Sequence, residues 1–134
     1  MAQAKDVMMH PAPTLQPQQS LSDAWHKFRQ HHLSGLPVVD KQKHLVGFIS
    51  EQDLIKQTLE EAYYSNVNVC IGDVMKAFPD SISPERDLMA LASEMAETHR
   101  RFYPVVDEGR LVGLVVRRKV VDYLMELAAK PSPV

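Results

Sequence analysis

Ser50 and Asp53 stand three residues apart, where the apolar run Leu45-Val46-Gly47-Phe48-Ile49 gives way to a helix-favouring stretch beginning at Glu51. That spacing is a capping-box variant, in which hydroxyl and carboxylate satisfy the unpaired N–H groups of a helix start. The same pair can serve in binding, because a carboxylate accepts hydrogen bonds while a helix start offers N–H donors and positive potential to an anion. Spacing alone favours the cap. A second group is His99-Arg100-Arg101. The planar fork of Arg101 suits phosphate oxygens, although cations also complement the dipole at a helix end, the commoner role of such a cluster.

Other reactive residues lead nowhere. His31 and His32 are neighbours on a helix and point apart, and no Asp, Glu or Cys completes a ligand set, so no metal site is assigned. Cys70 is the single cysteine, which leaves neither a disulfide nor a Cys-x-x-Cys pair; it reads as a small, partly buried thiol. There is no Gly-rich phosphate loop, His-Glu-x-x-His, Gly-x-Ser-x-Gly or repeated carboxylate pair. No catalytic residue is assigned, no cofactor is required, and the chain is read as a binding protein and no enzyme. Trp25, Tyr63 and Tyr64 read as packing or interface residues.

The elements that position Ser50 and Asp53 occur twice. Asp6-Val7-Met8 recurs as Asp73-Val74-Met75, Pro17 as Pro84, Leu21 as Leu88, and Pro37-Val38-Val39-Asp40 as Pro104-Val105-Val106-Asp107, all displaced by 67 positions (73 minus 6). One deletion in the second turn then makes Leu111-Val112-Gly113 the match of Leu45-Val46-Gly47, at a displacement of 66 (111 minus 45). A duplicated fold tolerates such a change best in a turn.

Each copy reads as a short strand (Thr14-Leu15; Ser81-Ile82), a helix, a hairpin and a second helix. Ser20 with Asp23 predicts one helix start, and Ser83 followed by Pro84 predicts the other. Leu21, Ala24 and Phe28 in one copy, and Leu88, Leu91 and Met95 in the other, fall at the spacing of an inward helical stripe. The hairpins pair Leu36 to Asp40 with His44 to Ser50, and Tyr103 to Asp107 with Arg110 to Val116. The second helices run from Glu51 to about Tyr64, with Leu54, Ile55, Thr58, Leu59 and Ala62 as the apolar side, and from Arg117 to about Ala129, with Val120, Val121, Leu124 and Ala128. This is an α/β (α+β) architecture of two β-α-β-β-α units, at 5–64 and 72–129, with a linker at 65–71 and a tail at 130–134. Such units expose faces they cannot cover alone and are expected to pack together with pseudo-twofold symmetry.

Composition narrows the function. The 134 residues are 45% hydrophobic and 24% charged, as in an ordinary folded domain. The net charge of -2 lacks the basic excess that nucleic-acid binding requires. No apolar stretch approaches membrane-spanning length, and the first residues hold no signal-type apolar core, so a cytoplasmic protein is expected.

The chain resembles the cystathionine β-synthase (CBS) domain pair, or Bateman module. The resemblance rests on Asp6-Val7-Met8, Gly35-Leu36-Pro37-Val38-Val39-Asp40, Leu45 to Asp53, and the second copies Asp73-Val74-Met75 and Tyr103-Pro104-Val105-Val106-Asp107, and spans residues 5 to 127. It implies a regulatory module that senses an adenosine-containing ligand, AMP, ADP, ATP or S-adenosylmethionine, and signals to a downstream protein. It also implies a homodimer, in keeping with the apolar sides of the second helices. Gly47, Ser50 and Asp53 match the family's Gly-x-x-Ser/Thr-x-x-Asp pattern, whose Asp accepts from ribose hydroxyls. Thr14 falls where a hydroxyl lines the adenosine pocket, Gly35, Leu36 and Pro37 where the chain borders the base, and Arg101 where a basic group reaches phosphate. The second copy has Val116 and Lys119 in place of Ser and Asp, so one intact nucleoside site is expected, the second being empty or altered to favour phosphate. The alternative is a dimeric interaction module that has lost nucleotide binding.

Overall fold

The computed structural model describes residues 1–64 and 69–130, with side chains described outside 62–64. Most of the expected linker and tail, and the side chains of Tyr63 and Tyr64, lie outside the described residues. Two compact units cut across the sequence repeat. One, here the Asp53 unit, holds Pro13–Pro79 with Glu108–Leu111; the other, the Lys119 unit, holds Met1–Ala12, Asp80–Asp107 and the chain from Val112 onward.

In the Asp53 unit, α1 (Leu21–His31) starts as its sequence predicts. The Ser20 hydroxyl accepts the Asp23 N–H at 3.0 Å, and the Asp23 carboxylate accepts the Ser20 N–H at 3.1 Å. It ends at His32, whose left-handed φ of 54° turns its N–H back to the Phe28 and Arg29 carbonyls. Ala24 and Phe28 are buried. Then β1 (Gly35–Val39) and β2 (Leu45–Ser50) pair antiparallel and lead into α2 (Glu51–Tyr64). The expected strand at Thr14-Leu15 is a single parallel bridge from Leu15 to Val38. A short α3 (Ile71–Val74) and β3 (Lys76–Ala77) follow, and β3 joins β2 to give the order β1-β2-β3.

In the Lys119 unit, α4 (Leu88–Glu97) precedes the hairpin of β4 (Phe102–Asp107) and β5 (Arg110–Val116), Arg110 and Leu111 counting with the other unit, and α5 (Arg117–Ala129) closes it. Leu88, Leu91, Tyr103, Val105, Val115 and Val120 form its core with Ala4. The helix start differs from expectation. The N-cap of α4 is Asp87, whose carboxylate accepts the Ala90 N–H at 2.9 Å. Ser83 and Pro84 instead form a turn, closed by the Arg86 N–H on the Ser83 carbonyl at 3.1 Å, and the Lys5 N–H takes the Pro84 carbonyl at 3.0 Å.

The repeated Asp-Val-Met has two local jobs. Its Asp is a cap: Asp6 accepts the Gln3 N–H at 2.7 Å and Asp73 the Cys70 N–H at 2.9 Å. Its Met fills the space left by a glycine of the opposite sequence copy. A Cβ on Gly113 would stand 2.9 Å from Met8 Cγ, and one on Gly47 2.9 Å from Met75 Cγ. This exchange of opening segments is why the units and the sequence repeat do not coincide.

The apolar side of α2 is largely exposed. Ile55 and Leu59 are 60% and 58% exposed, while among the described residues of that helix the buried one is Gln57. On α5 only Val120 of the predicted side is buried, Val121 and Ala128 being exposed.

Candidate ligand site at the start of α2

Six of the seven residues singled out from sequence lie on or beside the sheet of the Asp53 unit. Gly35 opens β1 directly opposite Ser50, which closes β2, and Leu36 and Pro37 face Ile49 and Phe48. Leu15 bonds to Pro37 and Val39 (Leu15 N–H to Pro37 O, 3.1 Å; Val39 N–H to Leu15 O, 2.8 Å), which sets Thr14 level with Pro37, in the middle of β1. The Glu51 N–H donates to the Ser34 carbonyl at 2.9 Å and fixes the first turn of α2 there.

Exposure divides these residues by role. Gly35, Leu36 and Pro37 are buried, and Leu36 is wholly so, whereas Thr14, Ser50 and Asp53 are half-exposed. Leu36 therefore offers a ligand no side-chain surface. Gly35 has no room for a side chain, since a Cβ would stand 2.7 Å from Phe48 Cε1. Thr14 is anchored through its carbonyl, which accepts from Lys27 Nζ at 2.6 Å.

Ser50 and Asp53 form the capping box. Asp53 Oδ2 accepts the Ser50 N–H at 2.9 Å and the Ser50 hydroxyl at 3.1 Å, and Ser50 Oγ accepts the Asp53 N–H at 3.4 Å. Both bonds to the carboxylate fall on Oδ2. The cap thus occupies one oxygen and leaves Oδ1 as an acceptor, so capping and hydroxyl binding are compatible functions of one side chain.

Arg101 belongs to the Lys119 unit and is not brought to that sheet within a unit. It is exposed, and its carbonyl accepts the Arg117 N–H at 2.8 Å. Arg100 beside it is fixed, donating to the Phe102 and Asp80 carbonyls at 3.0 and 2.9 Å with its guanidinium 4.1 Å over the Tyr103 ring. Of the two arginines, Arg101 is the one a ligand can reach.

At the equivalent helix start in the Lys119 unit, Val116 is the N-cap, nearly fully buried and without a side-chain cap bond. Lys119 instead lines a cavity of about 620 Å³ with Asp6, Met8, His10, Asp122 and Glu126 among others. Three carboxylates against one lysine make this lining net acidic. No local pattern of residues marks the cavity, because its walls come from opposite ends of the chain. Among the described residues, no group of three or more His, Cys, Asp or Glu could hold a metal, and no helix is long and apolar enough to cross a membrane.

Known proteins resemble this chain along most of its length. The chain is 30% identical over 115 residues to the CBS domain-containing protein YhcV of Bacillus subtilis (strain 168), covering 86% of this chain and 80% of that protein. It is also 30% identical over 118 residues to an inosine-5'-monophosphate dehydrogenase of Korarchaeum cryptofilum (strain OPF8), but spans only 23% of that enzyme. Among solved structures, CBSX2 in complex with AMP superposes with a TM-score of 0.82 at 28% identity, covering 96% of this chain and 99% of that one; CBSX2 is from Arabidopsis thaliana. The family profile described as CBS domain matches residues 4–60 and 71–126. The chain, with two matched copies, belongs to the CBS domain family.

Proposed function

We propose that this protein is a cytoplasmic regulatory module, acting as a homodimer, that binds an adenosine-containing ligand at the start of α2. Asp53 accepts from the ribose hydroxyls through the oxygen its cap leaves open, Ser50 and Thr14 supply hydroxyls, and Gly35 and Pro37 back the base. The single observation that carries this reading is that both cap bonds converge on Asp53 Oδ2. The AMP complex of the 28% identical CBSX2 supports the ligand class. The exposed strips on α2 and α5 favour a second reading, a dimeric interaction module without nucleotide binding.

Calorimetric titration with AMP, ATP and S-adenosylmethionine decides between them. On the first reading at least one ligand binds, Asp53→Ala weakens it at least about tenfold through loss of a charged acceptor, and Lys119→Ala leaves it near the wild-type value. Arg101→Ala tests whether a phosphate is held, by weakening ATP or AMP but not S-adenosylmethionine. No binding by any of the three sinks the sensor, and equal losses at Asp53 and Lys119 sink the choice of site.

A further inference from the structure

Gln57 is the polar residue among the buried side chains of the Asp53 unit, 7% exposed, and it lies on the side of α2 that the protein covers. On that helix Asp53, Leu54 and Glu61 are half-buried, whereas Gln52, Ile55, Lys56 and Thr58 are exposed, so the covered side runs through 53, 54, 57 and 61. Among the described residues the Gln57 carboxamide has no hydrogen-bond partner. A buried amide without a partner costs free energy, and one retained in a folded protein calls for an explanation. The wholly enclosed polar atom without a partner, among the described residues, is the Tyr103 hydroxyl and not the Gln57 amide, so the amide can be reached from outside.

Helix geometry aims that amide towards Asp53. Side chains of a helix lean towards its N-terminus and residues four apart share a face, so the Gln57 side chain lies over the turn that carries Asp53. The other copy has the same two positions opening on one space. Lys119 and Tyr123 are the equivalents of Asp53 and Gln57, at a displacement of 66 (119 minus 53, 123 minus 57), and both line the cavity of about 620 Å³. Such a volume is ordinary for a small-molecule site.

The cap defines what Asp53 lacks. A ribose presents two neighbouring hydroxyls, each a donor, whereas both cap bonds fall on Oδ2 and leave the carboxylate one oxygen. Gln57 Oε1 is an acceptor without a donor. We propose that Gln57 is a specificity-determining residue of the ligand site, its amide oxygen accepting from one ribose hydroxyl while Asp53 Oδ1 accepts from the other, so that the intact diol is read. The inference rests on the adenosine-ligand reading above and adds the second acceptor.

The experiment is calorimetric titration of the full chain, wild type and Gln57→Met, with AMP, ATP and S-adenosylmethionine and with the 2′-deoxy and 3′-deoxy form of each. Methionine keeps an unbranched side chain of similar length and removes the amide. On wild type, loss of either hydroxyl should weaken binding about tenfold, the effect of one hydrogen bond. On Gln57→Met the parent ligand should bind about tenfold more weakly, and one of the two deoxy forms should then bind as well as the parent, because the contact it lacks is already gone. The other deoxy form should keep its penalty. Both penalties surviving in Gln57→Met overturn the assignment and leave the ligand reading intact. So does a wild type that tolerates loss of either hydroxyl, a result that needs no variant. Failure of every ligand to bind wild type overturns both. Without ligand, Gln57→Met should melt no lower than wild type, since it loses no bond within the protein; a lower melting temperature with unchanged hydroxyl discrimination would make Gln57 a packing residue and overturn the proposal.

Discussion

The starts of α2 and α5 hold equivalent places in the repeat and are built on opposite terms. At α2, Ser50 and Asp53 close a capping box, and Glu51 adds a second acid to the first turn. At α5, the N-cap is a buried valine and three cations follow it. Beneath both starts the packing is the same, a methionine of the opposite sequence copy lying on the glycine of the second hairpin strand. The duplication keeps what close packing demands and diverges where side chains meet solvent. Divergence is therefore where function should be sought.

The shared packing can be broken most severely, and unequally. At Gly47 all three nearest atoms to an added Cβ belong to the flexible Met75 side chain, whereas at Gly113 the Met9 carbonyl also stands 2.9 Å away. A methionine can swing aside; a backbone carbonyl held by the Met9 to Leu114 bridge cannot without disturbing that bridge. Gly113→Ala should cost about 3 kcal/mol and Gly47→Ala about 1 kcal/mol, the two ends of the overpacking range. Denaturant midpoints would check this, and equal losses would show that the two sites are not distinguished by their backbone neighbour.

The divergent helix starts predict changes of opposite sign. Asp53→Ala removes a cap and should destabilise by about 1 kcal/mol. Arg118→Gln removes an exposed cation from the unfavourable end of a dipole and should stabilise by about 0.5 kcal/mol. Thermal melts over a series of protein concentrations would separate this effect from any association. A loss of stability in Arg118→Gln would mean that the arginine has a folded-state partner within its own chain.

These contrasts were only partly legible in the sequence. The Ser20/Asp23 and Ser50/Asp53 boxes were, because a cap is set by residues three apart and needs nothing else. The start of α4 was not, because Ser83-Pro84 carries a good local signal that is overridden when Lys5 and Ala4 take the carbonyls of Pro84 and Arg86. The same distant segment hides the glycine and methionine contacts, which join opposite sequence copies. The apolar side of α2 was legible, but apolar periodicity identifies a face without saying what covers it. Gln57 faces the protein, and Ile55 and Leu59 do not. At the site, residue types marked Ser50, Asp53 and Thr14, but only the packing showed that Leu36 lies wholly in the core.

The core positions beneath those sites differ in one further way. Leu36 and Tyr103 are equivalent in the repeat and both fully buried, so the Lys119 unit carries a phenol where the Asp53 unit carries an alkyl group. The Tyr103 hydroxyl closes no hydrogen bond of standard geometry, although the Glu94 carboxylate and Thr98 hydroxyl lie close enough to influence its titration. Burial pushes the Tyr103 hydroxyl above its ordinary value of 10.0, and the Glu94 carboxylate pushes the same way. The folded protein therefore holds this proton more tightly than the unfolded chain does. Its contribution to stability is complete below the unfolded value and is lost as pH rises past 10 through the folded value. Tyr103→Phe should remove that alkaline loss. Near neutral pH its effect on stability is a balance of two effects, relief of a buried hydroxyl without a hydrogen bond of standard geometry against loss of its hold on the Glu94 carboxylate. Glu94 supplies the acid counterpart: the Tyr103 hydroxyl, and then Arg86 donating at 3.2 Å, hold its carboxyl below the ordinary 4.5. That stability is present above 4.5 and is lost as pH falls through the folded value, so Glu94→Gln should flatten the acid limb. Denaturation from pH 3 to pH 11 on the wild type and both variants measures the two limbs. An alkaline loss that survives in Tyr103→Phe would place its origin outside this core position, where the two units differ by a titratable group.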